Sequence, residues 1–375
     1  MTGMEEARSG RITDEVVRVA GDEGVAPELL SRELAAGRAV IMGNSGARRR
    51  RVALGRHVTT KVNANIGTSS DASSLEDELV KLDAAVEAGA DAVMDLSTGG
   101  DLDAILRAVL ERSPVPVGTV PIYGAAVKAR RGGRGMVRMT GDDMLGEVRR
   151  HAEAGVDFVT VHAGVTREVA EHCRRSRRLA DVVSRGGAFL MEWMSYNDDE
   201  NPFYERYDDL MDILAEHDVA ISLGDGLRPG ALADANDTAQ IAELVVISEL
   251  VERARERNVQ AIVEGPGHVP LHLVASSVEL EKSMTKGAPF YVLGRDRRRR
   301  RRDGRRGLPL LRDARGAPEA PGRARRARGC LHSQGRRSRR RRGQRPAGRA
   351  GVGRRALRRE EASQVGSRDG AGARP

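Results

Sequence analysis

Residues 92–123 read AVMDLSTGGDLDAILRAVLERSPVPVGTVPIY. The opening run Ala92–Leu96 is apolar and suited to a strand, and Ser97–Gly100 breaks it. Leu102–Arg112 then repeats apolar residues at three- and four-residue spacing, the signature of a helix with one buried face. Val115–Tyr123 returns to β-branched residues. A helix linking two neighbouring strands forces those strands to run parallel. The same alternation extends in both directions. Apolar runs fall at Thr60–Ile66, Ala92–Leu96, Val115–Tyr123, Phe158–Ala163, Ala188–Met194, Val219–Leu223, Gln260–Glu264 and Phe290–Leu293. Helical patterns cover Ser74–Ala88, Leu102–Arg112, Asp142–Ala154, Ala233–Arg257 and Leu271–Lys286. Ser74, with Glu76 and Asp77 behind it, suits a helix N-terminus, and Gly89 suits its end. Eight strands alternating with helices predict an α/β fold, a parallel (β/α)₈ TIM-like barrel. A doubly wound open sheet is the alternative; it usually has fewer strands and often a GxGxxG turn, which is absent here.

Residues 1–57 form a lead-in, with a short helix at Ala26–Ala36 and a basic loop at Arg48–Arg51. Residues 58–294 form the barrel, and residues 295–375 are a separate composition. In this last segment 81 residues hold 29 Arg, no Lys and seven acidic residues, a charge of +22. Residues 1–294 therefore carry −13 of the chain's total of +9. No stretch reaches the roughly 18 apolar residues of a membrane span, and MTGMEEARSG has no secretory core. Two cysteines, Cys173 and Cys330, make no disulfide framework, so a reducing cytoplasm is expected.

Barrels of this kind place their chemistry at the C-terminal strand ends. Those ends carry Asn63 and Asn65, then Met94 and Asp95, Tyr123, His162, Asp225–Gly226–Leu227–Arg228, Glu264 and Tyr291. Ser184–Arg185–Gly186 adds a further polar, glycine-rich turn. Taken singly, each has a plain structural reading: Met94 as core filling, Asp225 and Arg228 as a mutual pair, Gly265–Pro266–Gly267 as a turn. Polar groups at the same end of nearly every strand are not required by stability. Glycine-turn N–H groups with Arg185 or Arg228 suit a phosphate. Asn65, Tyr123 and Glu264 suit a polar heterocycle and its sugar, and His268 suits a divalent metal as one ligand of an incomplete set. The basic stretch Lys128–Met136 reads as a solvated loop.

At these residues the sequence resembles the phosphomethylpyrimidine synthase family. The matching segments are KVNANIG (61–67), AVMDLSTG (92–99), SPVPVGTVPIY (113–123), VHAGV (161–165), VSRGG (183–187), SLGDGLRPG (222–230), ADAND (233–237), VEGPGHVP (263–270) and APFYVLG (288–294). The resemblance implies a radical enzyme of thiamine biosynthesis using S-adenosylmethionine, a 4Fe–4S cluster and Zn²⁺. It would convert 5-aminoimidazole ribonucleotide into 4-amino-5-hydroxymethyl-2-methylpyrimidine phosphate as a homodimer. It assigns substrate contact to Asn65, Met94, Tyr123, His162, Ser184, Arg185, Gly186, Asp225, Gly226, Leu227, Arg228, Glu264 and Tyr291, and one metal ligand to His268. The catalytic groups stay unassigned. A paralogue making hydroxybenzimidazole from the same nucleotide shares these motifs.

Two family features are absent: a second metal-binding His in a Glu–His–Leu segment, and a C-terminal Cys-x-x-Cys-x₄-Cys for the cluster. A nucleic-acid-binding protein is the alternative from another class, resting wholly on the Arg-rich tail. A shifted reading frame explains that tail better. Leu310–Pro318 (LLRDARGAP) can be written in codons that, one base on, read CYVTPEEHL, and Gly335–Arg342 (GRRSRRRR) in codons that, shifted the same way, read VAAHAADV. Both shifted peptides are family-like. The chain as written is then expected to be inactive.

Overall fold

A computed structural model describes residues 1–69, 74–265 and 267–292. Three helices open the chain: α1 (Gly3–Arg8), α2 (Asp14–Glu23) and α3 (Pro27–Ala35). An antiparallel pair follows, β1 (Ala39–Met42) and β2 (Val52–Gly55). Then come β3 (Asn63–Ile66), α4 (Leu75–Glu87), β4 (Ala92–Asp95), α5 (Leu102–Arg112), β5 (Val117–Thr119), α6 (Pro121–Arg131), α7 (Gly141–Glu153) and β6 (Phe158–Val161). The rest are α8 (Arg167–Arg175), α9 (Arg185–Asn197), α10 (Pro202–Glu205), α11 (Tyr207–His217), β7 (Ala220–Leu223), α12 (Thr238–Glu256), β8 (Ala261–Glu264), α13 (Val274–Met284) and β9 (Phe290–Tyr291). Ser74 caps α4 as the sequence predicts, its Oγ accepting the Asp77 N–H at 3.2 Å.

The strands β3 to β9 form one parallel sheet in chain order. Its edges come together through side chains. Asn63 Nδ2 donates to Tyr291 Oη at 2.7 Å, and Tyr291 Oη donates to Asn65 Oδ1 at 3.3 Å. The TIM-like α/β architecture is therefore present, with seven strands in the barrel sheet among the described residues.

The missing member of the expected eight is Ala188–Met194, which is helix, inside α9. Ser184 caps that helix, and its buried residues Gly186, Gly187, Leu190, Trp193 and Met194 fall at helical spacing. β6 pairs directly with β7, Phe158 against Ala220, leaving no place between them. A second correction concerns Val115–Tyr123: β5 ends at Thr119, and Pro121 begins α6, where its fixed φ suits a first helical turn. Tyr123 is thus a helical residue. Nor is Lys128–Met136 one loop. Lys128 to Arg131 end α6, and Lys128 Nζ bonds Glu147 Oε2 at 2.9 Å.

The lead-in is more than a short helix and a basic loop. The β1–β2 pair has two buried faces. Val40, Met42 and Val52 join the barrel core, while Ala39, Ile41 and Ala53 pack on α1–α3. This pair plugs the N-terminal end of the barrel. The Ile41 N–H donates to Gln260 just before β8, at 2.7 Å. Asn44 Nδ2 donates to the carbonyls of Ala152 and Val156. Asp157, immediately before β6 and 1% exposed, accepts from Asn44 N (3.2 Å), Val117 N (2.8 Å) and Arg49 Nε (2.8 Å). Arg49 also donates to the carbonyls of Leu110 and Gly155. Arg51 pairs with Glu15 at 3.2 Å. Two of the guanidiniums in Arg48–Arg51 are therefore clamps, not a free basic patch. Cys330 and the Arg-rich tail lie outside the described residues.

Asp157→Ala strands the Arg49 guanidinium, whose side chain is 10% exposed. Removing one partner of a buried pair costs about 3–5 kcal/mol. The variant is expected to unfold at a correspondingly lower urea midpoint with an unchanged slope. A loss under about 1 kcal/mol would show that Asp157 does not tie the lead-in to the barrel.

Candidate active site

In a parallel sheet, lateral neighbours share a face. Asn65, Met94 and Gly118 are such neighbours, and Gly118 pairs in turn with Phe158. A Cβ at Gly118 would stand 2.2 Å from the Phe158 ring, so the glycine makes room for an aromatic inside the barrel. From Phe158, the inward face of the chain continues through Thr160 to His162. Met94 is 5% exposed and belongs to the core cluster. Its strand neighbour Asp95 faces the other way, in the row of Thr119, whose hydroxyl meets His151 of α7 at 2.7 Å.

His162 directly follows β6 and is 4% exposed. Its Nε2 lies 3.2 Å from Ser184 Oγ, while Nδ1 is buried without a partner among the described residues. Burial pushes this imidazole down to about 4, so it is neutral at neutral pH. The N-terminus of α9 packs against it at a distance only glycine allows. A Cβ at Gly186 would stand 2.3 Å from the ring, and one at Gly187 2.0 Å from the Gly226 carbonyl. Ser184 Oγ accepts the Gly187 N–H at 3.3 Å. The Arg185 and Gly186 N–H groups remain free donors among the described residues, on the positive end of a 13-residue helix. Arg185 lies over the Tyr123 ring at 5.2 Å, and Phe189 meets that ring edge-on at 6.2 Å. Burial raises the Tyr123 phenol above its usual range.

After β7, Arg228 Nη1 stands 3.1 Å from Asp225 Oδ1 and 3.5 Å from Glu264 Oε1. The Asp225 N–H donates to Glu264 Oε2 at 3.3 Å. Neither Asp225 oxygen has a hydrogen bond, because the nearby guanidinium is misaligned, and Arg228 Nε is also unbonded. Burial, then the neighbouring Glu264 charge, raises the Asp225 carboxyl well above the ordinary range. Gly226 fits beneath Val165, where a Cβ would come within 2.2 Å. The Leu227 side chain is fully buried. Tyr291 is pushed up to about 12, first by burial and then by Glu264.

The structure thus joins three groups of candidates: Asp225–Arg228–Glu264, His162–Ser184, and Asn65–Tyr291 with Asn63. Tyr123 and Arg185 form a fourth contact. His268 follows β8 in the chain. It adopts φ +57°, and its Nδ1 meets the Pro229 carbonyl at 2.9 Å. That bond orients the ring and leaves Nε2 for a metal. Among the described residues, however, no three metal-ligating side chains stand together. Cys173 is buried, with its thiol raised by burial, the opposite of a cluster ligand. The described residues fit one zinc ligand and do not fit a cluster.

Sequence reasoning left out two supports of the site. Asn201 is fully buried and donates to the carbonyls of His162 (3.0 Å) and Val165 (2.9 Å). Glu243 of α12 accepts the Leu227 N–H at 2.9 Å and is pushed up to about 8 by burial. Its signal was readable: an acid in the row Ala239, Glu243, Ile247, Val251, whose other members are apolar and buried.

Among the described residues, no helix is long and apolar enough to cross a membrane. The profile of the radical SAM ThiC family matches residues 2–295. A phosphomethylpyrimidine synthase of Desulforamulus reducens is 52% identical over 295 residues, covering 78% of this chain and 68% of that protein. One of Moorella thermoacetica is 54% identical over the same length and coverage. Phosphomethylpyrimidine synthase 2 of Methanothermobacter thermautotrophicus is 51% identical over 294 residues, covering 78% of this chain and 69% of that protein. Matches of that length and identity, over a site whose parts lie together at one barrel end, place the chain in the radical SAM ThiC family.

Proposed function

We propose that the barrel is that of a phosphomethylpyrimidine synthase acting on 5-aminoimidazole ribonucleotide. The observation that carries this is the set of unsatisfied polar atoms at the mouth: Asn63 Oδ1, His162 Nδ1, both Asp225 carboxylate oxygens and Arg228 Nε. Buried polar groups without a hydrogen bond are costly, and these lie near the strand ends where a nucleotide would lie. In this reading the free N–H groups at Arg185 and Gly186, with the Arg185 charge, hold the phosphate. Asn65, Asp225 and Glu264 offer acceptors to the ribose hydroxyls and the exocyclic amine. Neutral His162 offers Nδ1 to the imidazole ring, and Tyr123 and Met94 supply apolar walls. The product would be 4-amino-5-hydroxymethyl-2-methylpyrimidine phosphate, made by a cytoplasmic homodimer.

Family membership implies S-adenosylmethionine and an iron–sulfur cluster, which supply the radical chemistry when bound. The described residues hold no ligand set for the cluster, so the barrel's part is to bind, orient and desolvate the nucleotide. We also propose that residues 295–375 come from a shifted reading frame. The family match ends at 295, where the composition changes, and the matched stretch covers 68% of the Desulforamulus relative's length. The chain as written would then bind nucleotide without turning it over.

Three outcomes are expected. Arg228→Ala should weaken binding of 5-aminoimidazole ribonucleotide by the full chain about 10- to 150-fold in calorimetry, the worth of one charge-assisted hydrogen bond; an unchanged Kd removes Arg228 from the site. The second concerns acid stability. A His with its folded value at about 4 and an unfolded value near 6.5 contributes stability that is full above pH 6.5 and lost as pH falls toward 4. Between those limits the wild type should lose about 3 kcal/mol more than His162→Gln; parallel pH curves would place His162 in a solvated setting. Third, DNA downstream of codon 294 should encode, in another frame, the Glu–His–Leu segment and the Cys-x-x-Cys-x₄-Cys, and restoring that frame should restore turnover. If no frame encodes them, the tail is the protein's own and the family's route to product is closed to it.

A further inference from the structure

The segment ADAND (233–237) has no role in the site as described, yet its acids reach one wall of the mouth, and Glu243 beyond it reaches the other. Asp234 is buried, and its two oxygens accept the N–H groups of Leu179 (2.9 Å) and Ala180 (3.0 Å). Asp237 caps α12 by accepting the Gln240 N–H at 2.9 Å. It also takes Arg178 in a two-point bond, Nε at 2.7 Å and Nη2 at 2.8 Å. The Arg178 side chain is 2% exposed. Residues 178–180 lead directly into Ser184 and the N-terminus of α9. Val182 bridges to Pro229, which follows Arg228. A Cβ at Gly230 would stand 2.6 Å from Ala180 and Val183 side-chain atoms, so the two loops touch. Nearly two helical turns beyond ADAND, Glu243 Oε2 holds the Leu227 N–H, in the centre of Asp225–Arg228.

We propose that residues 233–243 form a positioning element of the barrel mouth: Asp234 and Asp237 set the loop that carries Ser184–Gly186, and Glu243 sets the loop Asp225–Arg228. The proposal rests on the reading that these two loops bind the nucleotide, and the acids themselves act at one remove from it. The logic is rigidity. A loop binds tightly when its backbone is already fixed, because ordering it on binding subtracts from affinity. An acceptor supplied from a helix fixes it better than one supplied by another loop.

The test uses the full chain with Glu243→Ala, Glu243→Gln and Asp234→Ala, and with Val109→Ala as a control that opens a cavity in α5, away from the mouth. Two readouts are followed: hydrogen exchange of residues 178–187 and 224–230, and the Kd for 5-aminoimidazole ribonucleotide. Glu243→Ala should speed exchange in 224–230 at least tenfold and raise Kd at least fivefold. Glu243→Gln, which retains an acceptor for Leu227, should stay within twofold of wild type in both. Asp234→Ala should speed exchange in 178–187 and raise Kd similarly, while Val109→Ala lowers Tm and leaves both readouts unchanged. Should Glu243→Ala not fold, Glu243→Asp withdraws the acceptor by one methylene and serves instead. The proposal fails if Glu243→Ala and Asp234→Ala lower Tm like the control but leave exchange in these segments and Kd at wild-type values. If the wild type binds no nucleotide, the functional reading fails, and the exchange data alone decide the positioning role.

Discussion

All seven strands of the barrel sheet run in one direction, and the rest of the structure depends on that. A parallel sheet must be covered on both faces, so the strands are short apolar runs with helices outside and packed side chains inside. Its two ends then differ in kind. At the N-terminal end the groups that tie the lead-in to the barrel are paired within the protein. Asp157 accepts three hydrogen bonds, Asn44 donates two from its side chain, and Gln260 accepts from the hairpin. Closing this end with β1 and β2 lets a hairpin with two apolar faces serve as a plug.

The alternation of strand and helix was legible because its two periods are physically distinct. Ala92–Leu96 and Leu102–Arg112 fall almost residue for residue where the structure has β4 and α5. Ala188–Met194 was misread because seven apolar residues carry too little periodicity to separate a buried strand from a helix. The Ser184 cap and the buried Leu190, Trp193 and Met194 decide it, and burial is a tertiary property. Val120–Tyr123 failed for another reason: β-branched propensity continued past the strand end, while Pro121 imposed a helical turn. The plug was illegible because its contacts span more than a hundred residues, as between Asn44 and Asp157.

The candidate residues were legible as a set of strand-end positions, since strand direction alone gathers the C-terminal ends. Their partners were not. Nothing local in VSRGG says that Gly186 lies against His162, or that Gly187 lies against the Gly226 carbonyl. Those glycines are a steric requirement of the approach between α9 and the loop after β7. The approach also explains the neutral imidazole: His162 is desolvated by backbone packed at glycine distance, with Ser184 Oγ the one hydrogen-bond partner its ring has among the described residues.

The candidate site residues and the paired groups that tie down the lead-in lie at different ends of the barrel. Among the described residues, eleven buried side-chain polar atoms have no hydrogen bond, and seven belong to Asn63, Thr160, His162, Asp225, Arg228 and Glu243. Each such atom costs roughly 1–3 kcal/mol of desolvation when nothing bonds it. Asp157 and Asn44, at the N-terminal end, are paired within the protein instead. The loops around the unbonded atoms are tied down by Asp234, Asp237 and Glu243, and a polar ligand at the mouth would supply the missing hydrogen bonds. The same arrangement accounts for the misaligned Arg228 and Asp225. A pair optimised for each other would satisfy both groups internally, whereas this one leaves Asp225 Oδ1 and Oδ2 and Arg228 Nε able to turn toward a third partner.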